Sequence, residues 1–293
     1  MKRLDTTEII FKVLAYTFLT IFALMCLYPF VYAISAAVSD KAAYYQGEVV
    51  LFPVNLQFDA FRDIIYMKRF WISYSNTLFV TFYGTIWALG TSILGAYALS
   101  KNRLIFRRGL NFYLVFTLWF SAGLVPQFLN YKATQNIFGA IGVADDKWLI
   151  VIAMGMAAFN VVLLRNAFEN VPYEIEEAGI VDGANDFQLL SKVFIPMSKS
   201  TIATVGLFFG ISRWNGYFWA RTMTRNRNEW PLQVFIRDQL EEIMGLEYEP
   251  STVYAPESLI YAMVVCAIIP IIIIYPYIQK YFAKGVNVGG VKE

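Results

Sequence analysis

The chain has 293 residues, of which 58% are hydrophobic, 17% aromatic and only 16% charged. Soluble domains run at about 45–50% apolar and about 25% charged, so a soluble globule of this length could not hide the excess, and disorder is excluded with it. Lys and Arg number 24 against 22 Asp and Glu, a net charge of +2 with no histidine; this gives no basic field for nucleic acid and removes Ser-His-Asp and Cys-His catalysis, His-ligated zinc and imidazole proton relays.

The composition therefore reads as an all-α, polytopic membrane protein. A bilayer core of about 30 Å needs about 20 mostly apolar helical residues. Six segments qualify: residues 11–37, 72–100, 110–130, 147–165, 201–221 and 259–279. The first is longer than the apolar part of a signal peptide (about 7–15 residues) and reads as an uncleaved span. Cys26 and Cys266 lie in apolar runs and read as small buried hydrophobes. Basic residues precede the first span (Lys2, Arg3, Lys12), follow the second (Lys101, Arg103, Arg107, Arg108) and follow the sixth (Lys280, Lys284, Lys292). With six spans all three groups share one side, the cytoplasm, so both termini face inward. Trp71, Trp148 and Trp219 then gather at the outer interface, where indoles prefer to sit. The long outer segments, 38–71 and 222–258, carry Pro53, Trp230-Pro231 and Pro250. Pro126, Pro270 and Pro276 are placed to kink the third and sixth spans. The regions are thus 1–71 (inner segment, first span, first outer loop), 72–280 (a five-span core) and 281–293 (a cytoplasmic tail).

The loop between the fourth and fifth spans departs from the basic pattern. Residues 167–200 hold Glu169, Glu174, Glu176, Glu177, Asp182 and Asp186 against Lys192 and Lys199, a net charge of −4. The local pattern is a helix–turn–helix. Asn170-Val171-Pro172 opens the first helix, and the glutamates suit its positive end. Ala178 and Gly179 leave room for close approach, and Asp182-Gly183 stops the helix. Asn185 or Asp186 caps the second helix, whose Leu189, Leu190, Val193 and Phe194 share a face, and Pro196 ends it. An amphipathic hairpin lying on lipid is the bland alternative. Lipid-surface helices are usually basic, and this loop is acidic, which favours a protein partner.

The run Glu177-Ala178-Gly179, three residues, Gly183, nine residues, Val193, one residue, Ile195-Pro196 resembles the "EAA" signature of ABC importer permeases. Gly179, Val193 and Ile195 replace Ala, Ile and Leu of the family pattern. Asn76-Thr77, Ala96-Tyr97-Ala98-Leu99-Ser100, Trp214-Asn215 and Trp230-Pro231-Leu232 are similar to the carbohydrate permeases, nearest the maltose-permease-like second subunits and the oligosaccharide group that includes alginate and other uronate permeases. The resemblance implies the type I importer permease fold and an ATPase-coupling role for Glu177, Ala178, Gly179, Asp182, Gly183, Val193, Ile195 and Pro196. It implies four kinds of partner: a second homologous permease subunit, two cytoplasmic ATPase subunits, an extracytoplasmic solute-binding protein and an oligosaccharide, all around a chain embedded in the lipid of a bacterial cytoplasmic membrane. The chain has no Gly-x-x-x-x-Gly-Lys-Ser/Thr loop. ATP and Mg are therefore expected on the partner ATPases, with no cofactor and no metal here, and the chain is not itself expected to be an enzyme.

Charges deep in a span default to functional readings. Arg213-Trp214-Asn215 in the fifth span is the candidate substrate path, since Arg and Asn bond hydroxyls or a uronate and Trp stacks on a sugar face. The competing reading pairs Arg213 with a carbonyl or an acid between helices. A secondary transporter or channel is the alternative function, although the spans hold no obvious acid for ion coupling. A membrane enzyme would need a convergent polar group that the sequence does not show.

Overall fold

The structure, a computed structural model, describes residues 6–140, 142, 145–245 and 252–285. Lys2, Arg3, Pro250 and Lys292, and the side chains of Lys280 and Lys284, lie outside the described residues. Every regular element among those described is helical. In order they are α1 (Thr6–Ala37), α2 (Lys41–Tyr45), α3 (Asp59–Tyr66), α4 (Lys68–Ser100), α5 (Arg107–Trp119), α6 (Leu124–Ala140), α7 (Asp146–Ala153) and α8 (Ala158–Glu169). There follow α9 (Tyr173–Val181), α10 (Asp186–Leu189), a π-helical turn (Leu190–Phe194), α11 (Ile195–Met197) and α12 (Lys199–Trp214). The last are α13 (Phe218–Met223), a 3₁₀ turn (Arg227–Glu229), α14 (Leu232–Met244) and α15 (Pro256–Gly285).

By length and apolarity α1, α4 and residues Pro256–Pro276 of α15 can each cross a membrane alone. The third, fourth and fifth expected spans are not straight helices. α5 and α6 meet at 116°, α7 and α8 at 51°, and residues Asp186–Met197 meet α12 at 86°, so six crossings result if each bent pair serves as one span. The first two breaks fall inside the expected segments, at residues 120–123 and 154–157; the third falls at Ser198, just before the expected fifth segment, which is itself interrupted at residues 215–217 between α12 and α13. The three interruptions inside the segments hold Gly123 (φ +83°), Gly155 and Gly216, where the chain can leave the helix without a Cβ clash. An apolar count cannot see such breaks. Pro126 does not make the first of them; it sits in the first turn of α6, where a missing N–H costs nothing. Pro270 and Pro276 lie within α15, which continues through both.

The chain divides into two compact units, residues 1–68 with 236–269, and residues 69–235 with 270–293. In the first, Ala36, Ala43 and Val49 form a small core under Tyr32, Tyr44 and Tyr261. Ser39 ties the end of α1 to the loop after α2, donating to Ser35 O (2.7 Å) and accepting from Val54 N (3.0 Å). Tyr254 donates to the Asp63 carboxylate (2.5 Å), and burial together with that carboxylate pushes its phenol above the ordinary range. Cys26 is exposed on α1 rather than buried. In a bilayer the outside of a helix is as apolar as its core, so apolar neighbours in sequence do not signal burial.

In the second unit α4 and α12 pack through small residues. A Cβ on Gly206 would lie 3.5 Å from Leu89, one on Gly210 3.8 Å from Thr85, and one on Gly84 3.1 Å from Arg213 Nε. The glycines of each helix thus receive side chains of the other, and in lipid, without a strong hydrophobic drive between helices, such van der Waals contacts supply the packing. A largely apolar groove of about 230 Å³ runs beside it, lined by Gly206, Gly210, Ile211 and Trp214 of α12 with Pro270 and Ile274 of α15.

The start of α4 is fixed to the segment before α14. Asn76 Nδ2 donates to Asn228 O (2.8 Å) and Trp230 O (3.3 Å), and Thr77 Oγ1 accepts from Leu232 N (2.6 Å) while donating to Ser73 O (3.0 Å). Two sequence fragments about 155 residues apart, Asn76-Thr77 and Trp230-Pro231-Leu232, are therefore halves of one junction. Because Thr77 and Leu232 are both buried, Thr77→Val orphans an N–H at a cost of about 1–3 kcal/mol. Thermal unfolding of the solubilised protein should fall measurably for Thr77→Val and stay near wild type for Thr77→Ser, which keeps the acceptor.

Candidate functional site

The acidic loop folds as the expected hairpin, closed by local hydrogen bonds. α9 ends at Val181 with Asp182 as its C-cap, Gly183 follows at φ +81°, Gly183 N donates to Ile180 O (3.0 Å) and Ala184 N to Gly179 O (2.9 Å). This is the paired C-terminal closure that a left-handed residue permits. Asn185 then caps α10 in a reciprocal box with Gln188, its side chain accepting from Gln188 N (2.9 Å) and its N–H donating to Gln188 Oε1 (3.0 Å). Leu189, Leu190 and Phe194 are buried, as the shared face requires, and Val193 is partly buried. Leu190–Phe194, however, winds as a π-helical turn instead of continuing α10. Pro196 has no N–H to give back to residue 192 and its ring crowds that carbonyl, and a widened turn just upstream accommodates both.

The room left at Gly179 is filled from within. A Cβ there would lie 2.6 Å from Leu189 Cδ2, so α9 rests on its own partner helix. Glu177, Ala178, Asp182, Gly183 and Pro196 are exposed, and Val193 and Ile195 are partly buried. Beside them Tyr173, Ile180 and Val181 are also exposed, Val181 at 84%.

The acids divide into two sets, which the sequence reading did not separate. Glu176 meets Lys101 Nζ at 2.7 Å, Glu169 meets Arg107 at 2.5 Å, and Asp186 pairs with Arg103 and accepts from Tyr97 Oη (3.2 Å). Glu174, Glu177 and Asp182 stand in no ion pair among the described residues and face outward. Half of the negative charge thus belongs to the chain's own basic loop after α4. The missed signal was available: Lys101, Arg103 and Arg107 were placed on the same side of the membrane as the acidic loop, where opposite charges attract; Glu169 also meets Arg165 of α8 at 3.7 Å.

Lys101 is the tightest of these contacts. Its side chain is 9% exposed, with Nζ 3.6 Å from the centre of the Phe194 ring and 4.5 Å from that of Tyr97. Burial pulls its ammonium below the ordinary lysine value, Glu176 pulls it back up, and Arg103 pushes it down. Burial is the largest of these influences, so the net direction is downward. Breaking it by Glu176→Gln leaves a buried unpaired cation, a loss of about 3–5 kcal/mol, whereas Lys101→Met combined with Glu176→Leu should return most of that stability. A double-mutant cycle on thermal unfolding reads both results.

Arg213 and its neighbours do not form one surface. Arg213 is buried in the last turn of α12, where Nη2 donates to Met154 O and to Gly155 O (2.9 Å). It closes the carbonyl end of α7 across the break before α8, a favoured place for a cation. Trp214 is buried edge-on to Tyr74 (6.1 Å) and reaches the groove beside α12. Asn215 is exposed and bonds back to Ile211 O (3.1 Å). The carbonyl pairing weighed for Arg213 from sequence is the one this geometry contains, and of the three residues Trp214 lines an open space. Arg213→Met should lower the thermal midpoint by several degrees with or without any added solute, since two buried carbonyls lose their donor.

Residues 1–288 match the family described as the binding-protein-dependent transport system inner membrane component. The chain belongs to that family. It is 35% identical over 97% of its length, and 98% of the relative's, to the polygalacturonan/rhamnogalacturonan transport system permease protein YtcP of Bacillus subtilis (strain 168), and 30% identical over 90% of its length, and 88% of the relative's, to protein LplC of the same strain. Its fold superimposes with a TM-score of 0.85 at 40% identity, covering 96% of this chain and 100% of the other, on a solved bacterial ABC transporter involved in the import of the acidic polysaccharide alginate. The protein is thus a multi-pass inner-membrane permease of the ABC importer type, and membership decides against the secondary-carrier or channel alternative.

Proposed function

We propose that this permease imports an acidic oligosaccharide of the uronate type, delivered by an extracytoplasmic binding protein, and that the α9–α10 hairpin is the handle gripped by cytoplasmic ATPase subunits. The assembly pairs this chain with a second homologous permease and two ATPase subunits, which hold the ATP and Mg, and both termini of the chain face the cytoplasm. The relatives named above support the substrate class, since polygalacturonan and alginate are both polymers of sugar acids. The coupling role rests on one observation: the hairpin shows a free face of Glu177, Ala178, Val181 and Asp182 while Glu176, Glu169 and Asp186 clamp it to the basic loop after α4. A force on the free face then reaches α4 through the clamp and α12 through the turn at Leu190–Phe194.

Gly183 tests this at the hairpin tip. No neighbour lies within 4 Å of a Cβ built there, but its φ of +81° disfavours any L side chain by about 1–2 kcal/mol. Gly183→Trp should leave membrane insertion and assembly intact while abolishing the stimulation of ATP hydrolysis by loaded binding protein in the reconstituted complex. Normal import by that variant would refute the coupling role.

A further inference from the structure

Three guanidinium groups converge on one indole at the end of α4 remote from the hairpin. The Arg221, Arg227 and Arg69 carbons lie 4.6, 5.3 and 5.6 Å from the centre of the Trp230 ring. Trp230 is held in place, 2% exposed, with Nε1 donating to Thr224 O (3.3 Å) and with Leu232 bonded to Thr77. Arg221, Arg225 and Arg227 are exposed, while Nη2 of Arg69 is buried without a hydrogen-bond partner. None of the four arginines is in an ion pair among the described residues. The neighbouring acids do not serve them: Glu229 accepts from Asn226 Nδ2 (3.2 Å), and Asp146 accepts from Gln135 (2.8 Å) and from the backbone N–H of Arg225 (2.9 Å).

Three cations around a common point, each within a Debye length of about 8 Å of it, repel one another. Cation–π attraction to a buried ring gathers them but does not neutralise them. Elsewhere in the chain the basic loop at 101–107 shows the opposite solution, where each cation has its own carboxylate. Along α4 the cluster is about 48 Å from Lys101 at 1.5 Å per residue, and so on the membrane face opposite the hairpin.

We infer that Arg69, Arg221 and Arg227 around Trp230 form an outer carboxylate-binding site, which receives a uronate group of the incoming oligosaccharide before it enters the membrane. The inference rests on the acidic-substrate reading above and assigns it a place. The planar forks of Arg donate two parallel hydrogen bonds to a carboxylate, and the buried ring fixes their positions in advance. The indole is covered, so recognition is of charge and not of the sugar face.

The test uses the reconstituted complex with its binding protein, tri-galacturonate, and the same trimer with its carboxyl groups reduced to alcohols. Arg221→Gln with Arg227→Gln should raise the half-saturating concentration of tri-galacturonate in stimulated ATP hydrolysis by roughly tenfold and leave that of any response to the reduced trimer unchanged. The wild-type value for the acidic trimer should also rise with added salt, and that of the variant much less. Arg227→Gln alone, at an exposed position, gives a smaller shift of the same kind and covers the case in which the double variant assembles poorly. Equal effects on both trimers, or no effect on either, would overturn the inference. So would weaker capture of the unloaded binding protein by the variant, which would make the cluster a docking patch for that protein. A wild-type complex that ignores tri-galacturonate while importing neutral sugars would instead refute the acidic-substrate reading itself.

Discussion

The contact on which the rest depends is the buried pair between Lys101 and Glu176. It joins the residue that follows α4 to the first turns of the hairpin, beside the rings of Phe194 and Tyr97. An ion pair in such a place adds little net stability, because two charges have left water. What it supplies is geometry: the hairpin can take only the pose in which that ammonium and carboxylate meet. Arg103 with Asp186 and Arg107 with Glu169 hold the same pose from two further points. Fixed at three points, the hairpin is held in one pose while its remaining face stays free, which is what the proposed coupling role requires.

The same economy of polar groups recurs in the membrane-spanning part. A helix broken at Gly155 releases carbonyls that lipid cannot satisfy. Arg213 meets two of them, and its stem fits because Gly84 has no side chain. The arginine that stands out in an apolar sequence is therefore part of the architecture that makes a bent span tolerable. The arginines around Trp230 gather on an indole instead and stand in no ion pair among the described residues, the contrast on which the proposed carboxylate site rests.

Much of the hairpin was legible without coordinates. Gly183 and Asn185 act through bonds to residues three to five positions away, so the turn and the second cap follow from local chemistry alone. The partition of the acids was not legible, since Glu176 and Glu177 are adjacent and alike. Which of them turns inward depends on where the end of α4 lies, about 75 residues earlier in the chain. The breaks in the third, fourth and fifth spans were hidden for a related reason: hydropathy sums over a window, and one glycine does not change the sum.

By itself the sequence determined that the chain is helical and membrane-embedded, where its acidic hairpin lies, and which family signature that hairpin carries. These follow from composition and from spacings within a few helical turns. Tertiary structure alone decided that Asn76-Thr77 and Trp230-Leu232 are one junction, that Arg213 closes a broken helix, and that half the acids of the hairpin are already paired. Each of those depends on groups far apart in the chain meeting at hydrogen-bond distance, and no local pattern encodes that distance.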